Sequence, residues 1–304
     1  MRRIGVLMGI AEDESQTWPG LVAFSNTLHD QGWVAGRNVQ FDVRWGEADI
    51  ERMQRLAKEL VGLRPAAILA QSTQAVAALQ RETKTIPIVF VVVSDPIGSG
   101  FVASLPRPGG NITGFLNVES SLGGKWIELL KEILPGASRA ALIFHPDTAP
   151  YSAYYLKPFE EAARSQKIEP IAAPVHNDAD IERTIAGLAG NATTGLVVMP
   201  DAFTATWQNL ELMISAAARH RVPAIYPYRF MVTAGGLISY GIDTVDLYRR
   251  ASAYIDRILK GAKPTDLPVQ LPTRFELAVN LKTAKALGIE LPALLVSRAD
   301  AVVE

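Results

Sequence analysis

The feature that most constrains this chain is a run of short, unbroken apolar segments separated by helical stretches, with the plan repeated halfway along. Ile4-Gly5-Val6-Leu7-Met8, Ala66-Ala67-Ile68-Leu69-Ala70 and Ile88-Val89-Phe90-Val91-Val92-Val93 are continuous rather than alternating. A parallel strand buried on both faces reads this way. Between them lie helical patterns. Pro19 to Leu28 is one, with Gly32 as its terminator. Asp49 is placed to cap another, whose apolar positions are Ile50, Met53, Leu56, Leu60 and Leu63, and Pro65 stops it. Strand and helix in alternation imply a doubly wound parallel sheet.

The second half repeats the first. Ala140 to Phe144 answers Ile4 to Met8, and Gly195 to Met199 answers Ala66 to Ala70. Val222-Pro223-Ala224-Ile225-Tyr226 answers Ile86-Pro87-Ile88-Val89-Phe90, and Ala179 to Arg183 repeats Ala48 to Arg52. All four pairs are roughly 130 residues apart and keep one order, as a duplicated unit would. The expected architecture is α/β, two doubly wound parallel-sheet lobes joined by a hinge. The first lobe is expected over 1–117 plus about 243–271 and the second over 118–242. Gly114 to Gly124 and Tyr240 to Asp246 are the expected crossings. Residues 272–304, with a late strand at Phe275 to Leu281, pack on a lobe that the sequence does not assign.

Composition excludes several function classes. At 304 residues with 48% hydrophobic and 20% charged, the chain can bury two cores. A net charge of −1 lacks the basic face of a nucleic-acid binder. No apolar run approaches membrane-span length. With no cysteine, a disulfide framework and a thiolate site are both out. No phosphate-loop, dinucleotide or nucleophile-elbow motif is present. His29, His145, His176 and His220 show no metal-ligand spacing, so no metal or cofactor is expected. Gly98-Ser99-Gly100 and Pro108-Gly109-Gly110-Asn111 read as tight turns needing positive φ, ahead of a phosphate cradle.

Ligands in open parallel sheets sit beyond the carboxyl ends of the strands, which here would face an interlobe cleft. That rule selects candidates by position. In the first half they are Ser15 and Trp18, then Ser72 and Thr73, then Ser94 and Asp95. Backbone N–H groups at the helix start after Gln71, with the Ser72 and Thr73 hydroxyls, suit a carboxylate; plain N-capping by Ser72 is compatible with this. Asp95 either contacts a ligand or organises the turn before Pro96. In the second half the candidates are His145, Tyr151, Asp201, Tyr228 and Tyr240. Asp201 suits a ligand amine, or else caps the next helix. The tyrosines suit a flat ligand, or else belong to the core.

Several stretches taken together resemble one family. They are Ser94-Asp95-Pro96-Ile97-Gly98; Ser104-Leu105-Pro106-Arg107-Pro108-Gly109-Gly110-Asn111-Ile112-Thr113-Gly114; Leu129 to Pro135; Tyr248 to Ala251; Ile255 to Gly261; and Phe275 to Lys285 ahead of Arg298-Ala299-Asp300. The chain is similar from end to end to the ABC-transporter substrate-binding family that includes the TrpX-type proteins. The resemblance implies a type I periplasmic binding protein fold and capture of a small molecule by hinge closure. It also implies a membrane permease with its ATPase as partner; a monomer is expected. Ser72, Thr73, Ser94 and Asp95 match its first-lobe loops, Asp201 and Tyr228 its second-lobe loops. An aromatic amino acid or aromatic carboxylate is the expected ligand. Family members usually carry an export signal or a lipobox cysteine, and neither is visible here. A periplasmic or extracytoplasmic location with the signal removed is therefore an expectation from the family. The rival readings are a cytoplasmic ligand sensor acting through a protein partner, and a two-lobed enzyme. No nucleophile and base stand at a recognisable spacing for the latter.

Overall fold

A computed structural model describes residues 1–12, 19–47, 49–117, 121–190 and 193–304. In chain order the elements are β1 (Arg2–Met8), α1 (Pro19–Asp30), β2 (Val39–Trp45), α2 (Ile50–Gly62), β3 (Ala67–Gln71), α3 (Thr73–Glu82), β4 (Ile88–Val93) and β5 (Ile112–Leu116). Then come α4 (Leu122–Ile133), β6 (Arg139–Phe144), α5 (Ser152–Ser165), β7 (Glu169–Pro174), α6 (Asp178–Leu188), β8 (Thr194–Val198), α7 (Trp207–His220), β9 (Ala224–Tyr226), α8 (Arg229–Thr233) and β10 (Ile238–Ile242). The chain ends with α9 (Thr244–Leu259), β11 (Phe275–Asn280), α10 (Leu281–Leu287), α11 (Ala293–Ser297) and β12 (Ala301–Val303). These form two compact units, Met1–Val118 with Thr244–Thr273, and Glu119–Asp243 with Arg274–Glu304.

The first unit holds a five-stranded parallel sheet in the order β2-β1-β3-β4-β5. The second holds seven strands in the order β12-β11-β10-β9-β8-β6-β7, parallel except where β10 meets β11. The run β7-β6-β8-β9-β10 repeats the order of the first sheet. Backbone pairing repeats too. Ile68 N–H donates to Pro87 O at 2.8 Å, and Leu196 N–H to Pro223 O at 2.8 Å. Gly46 N–H reaches Met8 O, as Val175 N–H reaches Phe144 O.

Helix ends follow local chemistry. Asp49 caps α2 by accepting from Arg52 N–H, and Asn177 caps α6 by accepting from Asp180 N–H. The duplication therefore pairs Asp49 with Asn177. The expected match of Asp49 with Asp180 is nearly one turn out, because Asp180 lies inside the helix and accepts from His176 N–H instead. Within α2, Met53, Ala57 and Leu60 are buried. Ile50 was expected on that face but is 47% exposed, since the first residue after the cap points away from the sheet. Gly100 and Gly109 take positive φ, as the turn reading of both segments expects.

Helix α9 belongs to the first unit and lies along α1. A Cβ on Gly20 would fall 2.5 Å from the Tyr248 ring, so only glycine lets the helices approach there. Ser252 Oγ donates to Phe24 O, and Trp33 Nε1–H to Asp256 Oδ1 at 2.8 Å. The segment after α9 then seals the open edge at β5: Gln270 N–H donates to Gly114 O and Leu116 N–H to Gln270 O, both at 3.0 Å. Covering an edge strand in this way removes a template for aggregation. In the second unit, Trp126 of α4 is fully buried, donates through Nε1–H to Tyr240 O at 2.8 Å and stacks on Tyr155. Each such large buried ring contributes about 1.5–3 kcal/mol of transfer free energy.

Gly114 lies on β5, where a Cβ would stand 2.2 Å from Phe90 O. Gly114→Ala is expected to lower unfolding free energy by more than about 2 kcal/mol in urea titration, because backbone rather than a side chain must move. A change within about 0.5 kcal/mol would contradict this packing.

Candidate functional site

Both sheets reverse their winding direction at one place, β1/β3 in the first unit and β6/β8 in the second. At such a switch point the loops leave on opposite faces and open a crevice at the carboxyl ends. In the first unit Gly9 follows β1, and its N–H donates to Oε1 of Gln71, a buried side chain at the end of β3, at 2.7 Å. In the second unit His145 follows β6, and its N–H donates to Oδ2 of buried Asp201, beyond β8, at 2.9 Å. One device thus closes both crevices at the base: a buried side-chain acceptor takes the first free N–H across the switch.

Ser72 and Thr73 stand directly over the first switch point. Ser72 caps α3, its Oγ accepting from Ala75 N–H at 3.3 Å. Its backbone has φ 93° and ψ 157°, a region essentially reserved for glycine that costs about 1–3 kcal/mol. A Cβ on Gly9 would lie 2.4 Å from Ser72 Oγ, so the loops touch. Thr73 is 5% exposed, and its Oγ1 is buried with no hydrogen-bond partner among the described residues. An unmade bond in a buried hydroxyl costs about 1–3 kcal/mol. Strain and an orphaned hydroxyl therefore meet at the start of a ten-residue helix, whose positive dipole end favours an anion.

The β4 end is bent as well. Val92 has φ 57°, and the pairing with β5 shifts register between Val91 and Val93. Beyond it, Ser94 Oγ donates to Asn117 Oδ1 at 3.1 Å, both side chains being buried. Asp95 organises its turn, Oδ1 accepting from Gly98 N–H at 2.8 Å. A Cβ on Gly98 would clash with that carboxylate, which explains the glycine. Ser15 and Trp18 lie outside the described residues.

In the second unit Asp201 is more heavily committed than the sequence suggests. Its Oδ1 accepts from the Thr148 hydroxyl and from Phe203 N–H, while Oδ2 takes His145 N–H. It does not cap α7; Thr206 does, accepting from Asn209 N–H. Burial pushes the Asp201 carboxyl above its ordinary range, against the opposing pull of Thr148, His145 and Phe203. Asp201 thus joins the loops after β6 and β8. The His145 ring packs 4.5 Å from Phe203 and 5.8 Å from His176. Tyr151 donates through its hydroxyl to Pro200 O at 2.9 Å. Tyr228 precedes α8 and stacks on Phe230. Tyr240 does not end its strand: β10 runs on to Ile242, and Tyr240 stacks on Phe275 across the antiparallel pair. Gln71, in the strand-end segment the sequence singles out, completes the first switch point, and Thr148 and Phe203 complete the second, where nothing in local composition marks them. The duplication is the available signal, since Gln71 ends β3 and Asp201 lies just beyond the equivalent strand β8. Among the described residues no group of three or more His, Asp or Glu is placed to hold a metal ion. Among them too, no helix is long and apolar enough to cross a membrane.

Comparison with known proteins adds four findings. The family model described as "ABC transporter substrate binding protein" matches residues 6–303. The curated "Tyrosine-binding protein" of Clostridioides difficile (strain R20291) is 27% identical over 270 residues, 88% of this chain and 76% of that protein. Among solved structures, a conserved domain protein from Vibrio cholerae has a TM-score of 0.89 at 27% identity, with 99% of each chain covered. An ABC domain from Streptococcus pneumonia in complex with L-Trp has a TM-score of 0.88 at 25% identity, again with 99% of each covered.

Asp201→Ala strands the His145 and Phe203 N–H groups and the Thr148 hydroxyl, and is expected to cost about 2–4 kcal/mol of stability in urea titration with no ligand present. Asp201→Asn keeps one acceptor oxygen. Because the folded carboxyl is raised, the folded state holds its proton to higher pH than the unfolded chain. The wild type's stability relative to Asp201→Asn is then highest at low pH and falls as pH rises from the ordinary carboxylate range through the raised value. A pH-independent difference would refute the raised value.

Proposed function

We propose, for a chain that belongs to the ABC transporter substrate-binding protein family, that it captures an aromatic amino acid outside the cytoplasm and delivers it to a membrane permease with its ATPase. The two-unit α/β plan is the type I periplasmic binding protein fold. The family match along residues 6–303 carries the reading. A tyrosine-binding relative and an L-Trp complex of a similar protein support the choice of solute class. The chain acts as a monomer in this role.

The chemistry of the first switch point fits the shared half of such solutes. Every amino acid brings a carboxylate. The first-turn N–H groups of α3 and the Thr73 hydroxyl are donors that a carboxylate oxygen would satisfy. The strain at Ser72 is consistent with a loop shaped for a ligand rather than for stability. Ser94 and its partner Asn117 border the same edge of the sheet, beyond β4 and β5. Asp95 holds its turn and is assigned no ligand contact. Asp201 is assigned to holding its loops rather than to pairing with the solute amine, since both of its oxygens are engaged.

Isothermal titration calorimetry with L-Tyr, L-Trp, L-Phe, L-Leu and a sugar panel tests the reading. Saturable binding of the aromatic acids alone is expected, with about 2.7 kcal/mol of added stability at a hundredfold over Kd. Thr73→Val separates ligand binding from folding. Removing an unpaired buried hydroxyl should leave the free protein as stable as wild type, or more so, while weakening carboxylate binding at least tenfold. Binding of sugars only, or unchanged affinity in Thr73→Val, would refute the solute class or the site respectively.

A further inference from the structure

At the second switch point one polar atom is left over on a side chain whose every other degree of freedom is used. The backbone of His145 is pinned by its N–H bond to Asp201. Its imidazole Nδ1 accepts from Asp147 N–H at 3.2 Å and from Thr148 N–H at 3.4 Å. Two N–H donors facing one ring atom require a lone pair there, so the neutral ring carries its hydrogen on Nε2. Phe203 and His176 flank the ring and set its plane. The charged groups around it are Asp201 beneath the backbone, Asp147 in the same turn, and Asp180, which lies 3.4 Å from His176 Nδ1. Nε2 has no hydrogen-bond partner among the described residues. The ring is half-buried, at the carboxyl edge where a parallel sheet presents ligands.

We infer that His145 is a solute-binding and specificity-determining residue: its Nε2–H, fixed in direction by the backbone amides on Nδ1, donates to an oxygen of the bound solute. A donor held in one tautomer and one rotamer loses little entropy on binding, which is how preorganised sites gain selectivity. The inference rests on the aromatic amino acid reading above. Such a solute offers two kinds of acceptor oxygen, those of the carboxylate and, in tyrosine alone, the ring hydroxyl. A hydroxyl contact would make the protein prefer tyrosine to phenylalanine, since a site built to bond a hydroxyl discriminates strongly against the analogue lacking it.

Two substitutions divide the imidazole into its halves. In His145→Asn, the side-chain oxygen accepts the Asp147 and Thr148 amides as Nδ1 does, but nothing replaces Nε2–H. In His145→Gln, the amide NH2 reaches the Nε2 position. We expect His145→Asn to melt within a few degrees of wild type and to bind L-Tyr at least tenfold more weakly, and His145→Gln to stay within about threefold. A loss for L-Tyr but not L-Phe places the donor on the ring hydroxyl; an equal loss for both places it on the carboxylate. Nitrogen-15 spectra of the wild type should show Nδ1 bare and Nε2 protonated. The inference is overturned if His145→Asn binds both acids as tightly as wild type, or if the hydrogen is on Nδ1. A wild type that binds no aromatic amino acid overturns both this inference and the reading beneath it.

Discussion

A sheet that winds both ways has a weak point at its middle, where two neighbouring strands end and their chains part to opposite faces. The backbone N–H after the first of those strands has lost its neighbour in the sheet. Here each unit answers with a buried side-chain acceptor from the adjacent strand's end, Gln71 for Gly9 and Asp201 for His145. Without that acceptor the parting loops would carry an unsatisfied donor at the base of each crevice. The two solutions differ in charge. A neutral amide serves the first unit. A carboxylate serves the other, where it also holds Thr148 and Phe203.

From this constraint the division of labour follows. Residues at the base of each crevice are saturated by protein partners, and residues just above keep unspent capacity. Thr73 Oγ1 and His145 Nε2 are the clearest of the latter, both one step beyond a saturated bond. The strain at Ser72 belongs to the same picture, because the close approach of Gly9 leaves its loop little choice of path. On the proposed reading, binding free energy comes from donors arranged in advance that the solute completes.

Much of this was legible in the sequence, and what was not has identifiable causes. The continuous runs at Ile4 to Met8, Ile88 to Val93 and Ala140 to Phe144 each became a buried parallel strand. β2 shows no such run, since Gln40, Asp42 and Arg44 line one side of an edge strand. The family resemblance proved sound along nearly the full chain. The engagement of Asp201 could not be read locally. Its partners Thr148 and His145 are 53 and 56 residues away in the chain, and two of its three bonds come from backbone. Tyr240 misled for the opposite reason. An aromatic residue in a β-strand that continues two residues further looks like a strand end only until the antiparallel neighbour, β11, is known. The helix register at Asn177 shows the same limit at smaller scale, because Asp180 and Asn177 are equally good capping residues and only the backbone decides.

The central claim is that the unspent donors above the switch points are there for the solute. A crystal structure of the protein grown with L-tyrosine tests it most directly. The account predicts a solute carboxylate within hydrogen-bond distance of Thr73 Oγ1 and the first N–H groups of α3, with Asp201 still bonded to His145, Thr148 and Phe203. Tyrosine bound away from the strand carboxyl ends, or a Thr73 hydroxyl still unpartnered in the complex, would contradict it.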